Sequence, residues 1–179
     1  MNEDLIKEFI EKKSLEAMKS LLSSEKDEDA VSSAVEVSEI FGASKNFSNI
    51  AKNTDESGNK LVTSFHNNLV LLIQKTWVEE SDESLKAQVL YHLEEFCKLL
   101  STNNYIKSYP LFFSIVDDVV YLMFGSQTKS EEFDEYAFRI DPEFGVFWWY
   151  VQNLPRDAKW SEEKSRIAIL LGMYFLANY

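Results

Sequence analysis

The sequence predicts an all-α protein: a compact bundle of seven or eight helices, packed mostly with antiparallel neighbours around a buried central helix near 110–124. Three observations lead there. Apolar residues recur at intervals of three and four almost throughout the 179 residues, the period of one face of an α-helix. Only 5 Gly and 3 Pro interrupt that period, which leaves little turn material for a chain of many short strands. Large residues alternate as in a strand only in Tyr136-Ala137-Phe138-Arg139-Ile140. No second alternating run offers a partner, and a lone strand leaves its backbone groups unpaired. The segment is therefore read as irregular or helical.

Leu5, Ile6, Phe9 and Ile10 predict a first short helix. Ser14, whose hydroxyl can accept from a first-turn N–H, is placed as the cap of a second helix bearing Leu15, Met18, Leu21 and Leu22. Val31, Ala34, Val35, Ile40 and Phe41 mark a third, stopped by Gly42. From 43 to 60 the chain is rich in Ser, Asn and Lys. This stretch is read as the longest loop and a mobile connection between an N-terminal helical part (1–42) and the main bundle (61–179). The alternative is a turn or two of helix around Phe47, Ile50 and Ala51.

The periodicity then strengthens. Leu61, Val62, Phe65, Leu69, Leu72, Ile73 and Trp77 share one helical face, and Leu85, Val89, Leu93, Phe96, Cys97 and Leu100 share another. The acidic link at 79–83 is short enough to make these two helices an antiparallel pair. Ser108-Tyr109-Pro110 reads as the next helix start, because Pro is tolerated in a first turn. Asp141-Pro142-Glu143 supplies a capping side chain, a Pro at the first helical position and an acid near the positive dipole end. The helix it opens runs through Phe144, Phe147, Trp148, Val151 and Leu154. Ser161 caps a last helix through Ile167, Leu170, Leu171, Tyr174 and Phe175. All 179 residues are expected to form one domain.

Charge narrows the partners. Thirty acidic residues against 18 basic ones give a net charge of −12, and direct nucleic-acid binding needs clustered cations to neutralise phosphates. Many acids gather just ahead of expected helices, at 25–29, 79–83, 131–135, 141–143 and 162–163. There the helix dipole favours a carboxylate by roughly 0.3–1 kcal/mol. Much of the acidity thus serves helix starts, and only the rest points to a basic protein partner. Cys97 is the single cysteine, so no intrachain disulfide is expected. The acidic Met1-Asn2-Glu3-Asp4 lacks the basic start of a secretory signal. The run 111–124 is interrupted by Asp117 and Asp118 and falls short of the roughly 20 apolar residues a membrane span needs. A cytoplasmic protein with no membrane contact is the expectation.

Asp117 and Asp118 are the oddest residues in the sequence. Asp117 lies four residues after Phe113, and Asp118 three after Ile115, so both fall on apolar stripes. A buried carboxylate needs a partner or a raised pKa; Arg139, Arg156 and Arg166 are available to pair with one. His66 and His92 also fall on apolar stripes, and a hairpin centred near Glu80 would bring Glu95 close to His66. Asp117, Asp118, His66, His92 and Glu95 thus form a candidate buried polar cluster. Carboxylate-bridged metal bundles place Glu three residues before His, whereas position 63 is Thr and position 89 is Val. No nucleophile elbow or phosphate-cradling glycine loop occurs either. No catalytic residue, metal site or cofactor is assigned.

Trp149 and Tyr150 fall off the inward stripe of Phe144, Phe147, Trp148 and Val151. Exposed Trp and Tyr anchor interfaces, so the two are a candidate interaction surface. The expected function is a non-enzymatic protein–protein interaction or regulatory module. The alternative is a small enzyme or a ligand- or metal-binding bundle built on the Asp and His groups.

Overall fold

The computed structural model describes residues 3–41, 46–52, 56–75, 83–124 and 142–177. Among the described residues there are eight helices and no strand: α1 (Glu3–Ser23), α2 (Asp27–Ile40), α3 (Asn46–Lys52), α4 (Glu56–Lys75), α5 (Glu83–Ser101), α6 (Tyr105–Phe124), α7 (Pro142–Asn153) and α8 (Glu162–Ala177). The all-helical bundle is as the periodicity predicts. None of these helices is long and apolar enough to cross a membrane.

Helix α8 organises the packing. It borders α2, α3, α4, α6 and α7, and every residue from Lys164 to Leu176 is buried. Helix α6 was expected to be buried all round, but only part of its surface is. Phe112, Phe113, Ile115, Val116, Val119 and Val120 face the core, while Ser114 and Tyr121 lie in the open. The element enclosed on most sides is therefore α8, with α6 as its neighbour.

Two sets of rings meet across α8. On one side Phe65 of α4, Phe96 of α5 and Phe112 of α6 stand within 5.9–6.3 Å of one another, and Phe113 adjoins Phe112. On the other, Phe41 lies 5.4 Å from Trp149 and 5.9 Å from Phe175, and Phe47 lies 5.3 Å from Tyr174. Gly172 sits at the junction: a Cβ there would come within 2.7 Å of Phe112 and 3.4 Å of Tyr150. The absence of a side chain lets the two ring systems approach.

Several element boundaries differ from expectation, each for a local reason. The first two expected helices are one. Ser14, instead of capping, is buried inside α1 with its hydroxyl donating back to the Glu11 carbonyl at 2.9 Å. Within 43–60 the helical alternative around Phe47, Ile50 and Ala51 is the one found, as α3, and α4 already starts at Glu56; Phe47 is fully buried, so tertiary packing secures a helix that is short on local propensity. Helix α4 lies mainly against α8 and only lightly against α5, whose chief neighbour is α6. The expected α4–α5 pair is thus displaced by an α5–α6 hairpin.

The α5–α6 turn explains that preference. Asn103 adopts a positive φ of 56°. The Asn104 N–H donates to the Leu99 carbonyl and the Asn103 N–H to that of Leu100, which closes the end of α5 with the αL cap common at helix termini. Asn104 then caps α6, its Oδ1 accepting from the Lys107 N–H at 3.3 Å. Helix α6 therefore starts at Tyr105 rather than at Ser108. Pro110 falls inside it, on the exposed side where water can serve the carbonyl that Pro leaves unbonded. The expected starts at Pro142 and Ser161 match α7 and α8, and Ser161 Oγ accepts from the Lys164 N–H at 3.2 Å. The Tyr136–Ile140 segment lies outside the described residues.

Candidate functional site

Asp117 is paired as one of the three sequence candidates allowed. Arg156, in the connector after α7, grips it with both guanidinium nitrogens, and the Nη2–Oδ1 distance is 2.8 Å. The Asp117 pairing raises the Arg156 pKa. The guanidinium also lies over the Phe113 ring, 5.3 Å from its centre. Nearby, the Tyr109 hydroxyl donates to the Pro155 carbonyl, while its ring meets Phe113 and Trp160. Both charged side chains remain about half exposed, at 51% for Arg156 and 40% for Asp117. Asp117 is thus a positioned surface carboxylate that fastens the connector onto α6, and no buried charge is present there.

Asp118 faces differently. Burial raises its carboxyl pKa, His92 acts to lower it and Asp117 to raise it. The His92 Nδ1 is buried and has no hydrogen-bond partner among the described residues. His66 is half-buried on α4. Glu95 points outward and pairs with Lys98 at 3.8 Å. The five candidates do not converge: Asp118 and His92 share one neighbourhood, Asp117 is committed to Arg156, and Glu95 faces solvent. Among the described residues no three His, Cys, Asp or Glu side chains are placed to hold a metal ion.

The Asp118 shift has a testable sign. Folding disfavours its ionised form, so the native state holds the proton more tightly than the unfolded chain does. The group's contribution to stability is greatest below the unfolded carboxyl pKa and declines as pH rises towards the higher folded value. Asp118→Asn is expected to raise the urea midpoint at pH 7, and the gain should disappear below about pH 4. Equal gains at both pH values would contradict this assignment.

The expected surface pair separates. Trp149 is half-buried against Phe41. Tyr150 is fully buried, and its hydroxyl donates to the Ala168 carbonyl at 2.8 Å. It cannot be an exposed anchor. Helix α7 packs into the angle between α8 and Phe41, so its buried arc is wider than the single stripe used to place Tyr150. Tyr150→Phe removes one buried bond and leaves the Ala168 carbonyl short of a donor, an expected loss of about 1–2 kcal/mol in urea unfolding. A change near zero would show that water replaces the hydroxyl.

Two buried cations on α8 were not singled out from the sequence as helix caps. Lys164 is 6% exposed, and its Nζ donates at 2.9 Å each to the carbonyl of Leu22, in the last turn of α1, and to that of Ser24, just beyond it. The ammonium also lies 4.7 Å from the Trp160 ring centre. Arg166 is 4% exposed and donates to the carbonyls of Ile50 and Ala51 in the last turn of α3, as well as to Glu163 at 2.7 Å. Each satisfies carbonyls that a helix end leaves unbonded and places positive charge at the negative dipole end. Burial lowers the Lys164 pKa, and neighbouring Asp27 acts against this. Asp27 also accepts from Ser161 Oγ at 2.6 Å, tying the start of α2 to that of α8. A warning was present in the sequence: Lys164 and Arg166 open a helix whose remaining residues are almost all apolar.

The chain matches no protein-family model, no curated protein and no solved structure.

Proposed function

We propose that this protein is a non-enzymatic interaction module of the cytoplasm that docks another protein, basic in character, through the outer face of the α5–α6 hairpin. The supporting observation is where large apolar side chains stand in the open. Of the six that are exposed among the described residues, four belong to this one hairpin: Leu90 and Tyr91 on α5, Ile106 and Tyr121 on α6. Tyr91 and Ile106 are the most exposed, at 62% and 58%. Tyr is a favoured interface anchor because it buries a large, rigid area at small entropic cost. Exposed Glu83 at the start of α5 and the net charge of −12 suit a cationic partner.

The test is capture of partners by the tagged protein against two variants. Leu90→Ser with Tyr91→Ser should lose its partner. Leu71→Ser, on exposed Leu71 of α4, should retain it. Equal capture by all three proteins would overturn the assignment to this face. The alternative, a ligand- or metal-binding bundle, has one observation in its favour, the unpartnered Nδ1 of His92 beside Asp118. Stoichiometric metal in the purified protein, lost in His92→Ala, would favour that reading over docking.

A further inference from the structure

We propose that the exposed stripe of α6 is a self-complementary contact for a second copy of this chain, crossed antiparallel about a two-fold axis between Pro110 and Ser114. This goes beyond the docking of a basic protein, which is tested at Leu90 and Tyr91 of α5, and does not depend on it.

The stripe follows from helical spacing. At 3.6 residues per turn, Ile106, Lys107, Pro110, Ser114, Asp118 and Tyr121 fall within an arc of about 120°. Asp118 is half-buried and the other five are exposed. Buried Phe112, Ile115, Val116 and Val119 lie on the opposite side of the helix, so the stripe faces away from the bundle. Its pattern is the one a two-fold axis requires. In such a contact residue i of one copy meets residue j of the other, and j meets i. Turning α6 end for end about a point between Pro110 and Ser114 sets Lys107 of each copy against Asp118 of the other. The same operation brings Ile106 beside Tyr121. Lys107 and Asp118 lie on one edge of the stripe, as they must, because the axis keeps each edge with itself. At the crossing Pro110 faces Ser114, and their short side chains let the two helices approach closely.

Charge selects a second copy as the occupant. Lys107 belongs to no ion pair among the described residues. Asp117 is held by Arg156, so Asp118 is the carboxylate left at the far end of the stripe. Burial raises the Asp118 pKa, and an ammonium set beside it favours the ionised form. Each end of the stripe thus offers the charge that the other end lacks, and only an antiparallel copy satisfies both at once. The net charge of −12 opposes self-association at longer range. The local pairing has to carry the contact, which is therefore weak and sensitive to reversal at either end. At the low micromolar concentrations of urea unfolding the chain is monomeric, so the gain expected for Asp118→Asn is unaffected.

The test is analytical ultracentrifugation of the full chain from about 1 to 500 µM. The wild type should pass from monomer to dimer over that range. Lys107→Glu and Asp118→Lys each set like charges together at both ends of the contact, and each alone should weaken association by at least about 10-fold. Mixing the two variants pairs Glu with Lys at one end and Lys with Asp at the other. The mixture should therefore form a heterodimer with an affinity close to that of the wild type. Should Asp118→Lys fail to fold, Ser114→Arg takes its place. It sets two guanidinium groups near the axis and should abolish the dimer.

Four results would overturn the proposal. The first is a wild type that stays monomeric throughout the range. The second is Lys107→Glu dimerising as the wild type does. The third is a mixture of folded variants that associates no better than its components. The fourth is assembly beyond the dimer, because a two-fold contact closes on itself. The Leu90→Ser, Tyr91→Ser variant should dimerise normally whether or not it captures a basic partner. Loss of the dimer there would move the contact to α5 and overturn the α6 assignment.

Discussion

Arg166→Met is expected to destabilise the protein by roughly 3–5 kcal/mol, the range seen when one member of a buried charged arrangement is removed. Methionine fills much of the space of the arginine stem, so cavity formation is not the main cost. The loss arises at α3. The Ile50 and Ala51 carbonyls accept from Arg166, and Ala51 is itself 4% exposed. Without the guanidinium they are left partly dry, and each unsatisfied buried group costs about 1–3 kcal/mol. Glu163, 41% exposed, can rehydrate and adds little. Arg166→Lys should recover only part of the loss, because one ammonium cannot reproduce a planar fork that spans two carbonyls and a carboxylate. The comparison that isolates burial is Arg156→Met. It breaks a bidentate pair with Asp117 at a half-exposed site, leaves no buried carbonyl without its donor, and should cost no more than about 1 kcal/mol. Urea unfolding of the three variants checks the ranking, and an Arg166→Met loss as small as that of Arg156→Met would refute it.

Gly172→Ala should also be destabilising, by about 1–3 kcal/mol. In an exposed helix the same change gains about 0.5–1 kcal/mol, since glycine has the larger backbone entropy to lose. Sterics reverse the sign here. The new Cβ would meet Phe112 Cζ at 2.7 Å and Cε1 at 3.1 Å. Phe112 has no exposed surface and is confined by Phe65, Phe96 and Phe113, so the ring cannot move aside cheaply. Shortening the ring should relieve the clash. In a double-mutant cycle, Gly172→Ala with Phe112→Leu should cost less than the two single changes together, with a coupling of about 0.5–3 kcal/mol. Strict additivity would mean that α8 shifts as a body and the contact is not the cause.

The sequence made the helical period legible, and with it the fold class and most of the core. Val89, Leu93, Phe96 and Leu100 of α5 and Phe65, Leu69 and Ile73 of α4 are buried as their spacing implies. Partnering was less legible. A short link suggested α4 against α5, yet the cap formed by Leu99, Leu100, Asn103 and Asn104 draws α5 to α6 instead. Such caps depend on one residue's positive φ, and Asn is only a weak signal for it. The candidate cluster was legible one residue at a time. Asp117 finds Arg156 as charge balance requires, but Glu95 and His66 were grouped through a hairpin that is not the main packing pair. Tyr150 was misplaced because a helix in a corner buries more than one stripe. Lys164 and Arg166 escaped notice as caps because the carbonyls they serve lie far away in sequence. Periodicity within one helix carries no information about such partners.

Those two cations also impose an order of events during synthesis. The bonds from Lys164 to Leu22 and from Arg166 to Ala51 span 142 and 115 residues. A chain made from its N-terminus has α1 and α3 long before it has anything to close their ends. The core they belong to cannot form until residues 162–177 have left the ribosome, so the earlier helices wait with their apolar stripes uncovered. Contacts of such long separation slow folding and prolong exposure of apolar surface. A nascent chain halted before α8 would therefore be a strong client for chaperones, and one extended past it would not.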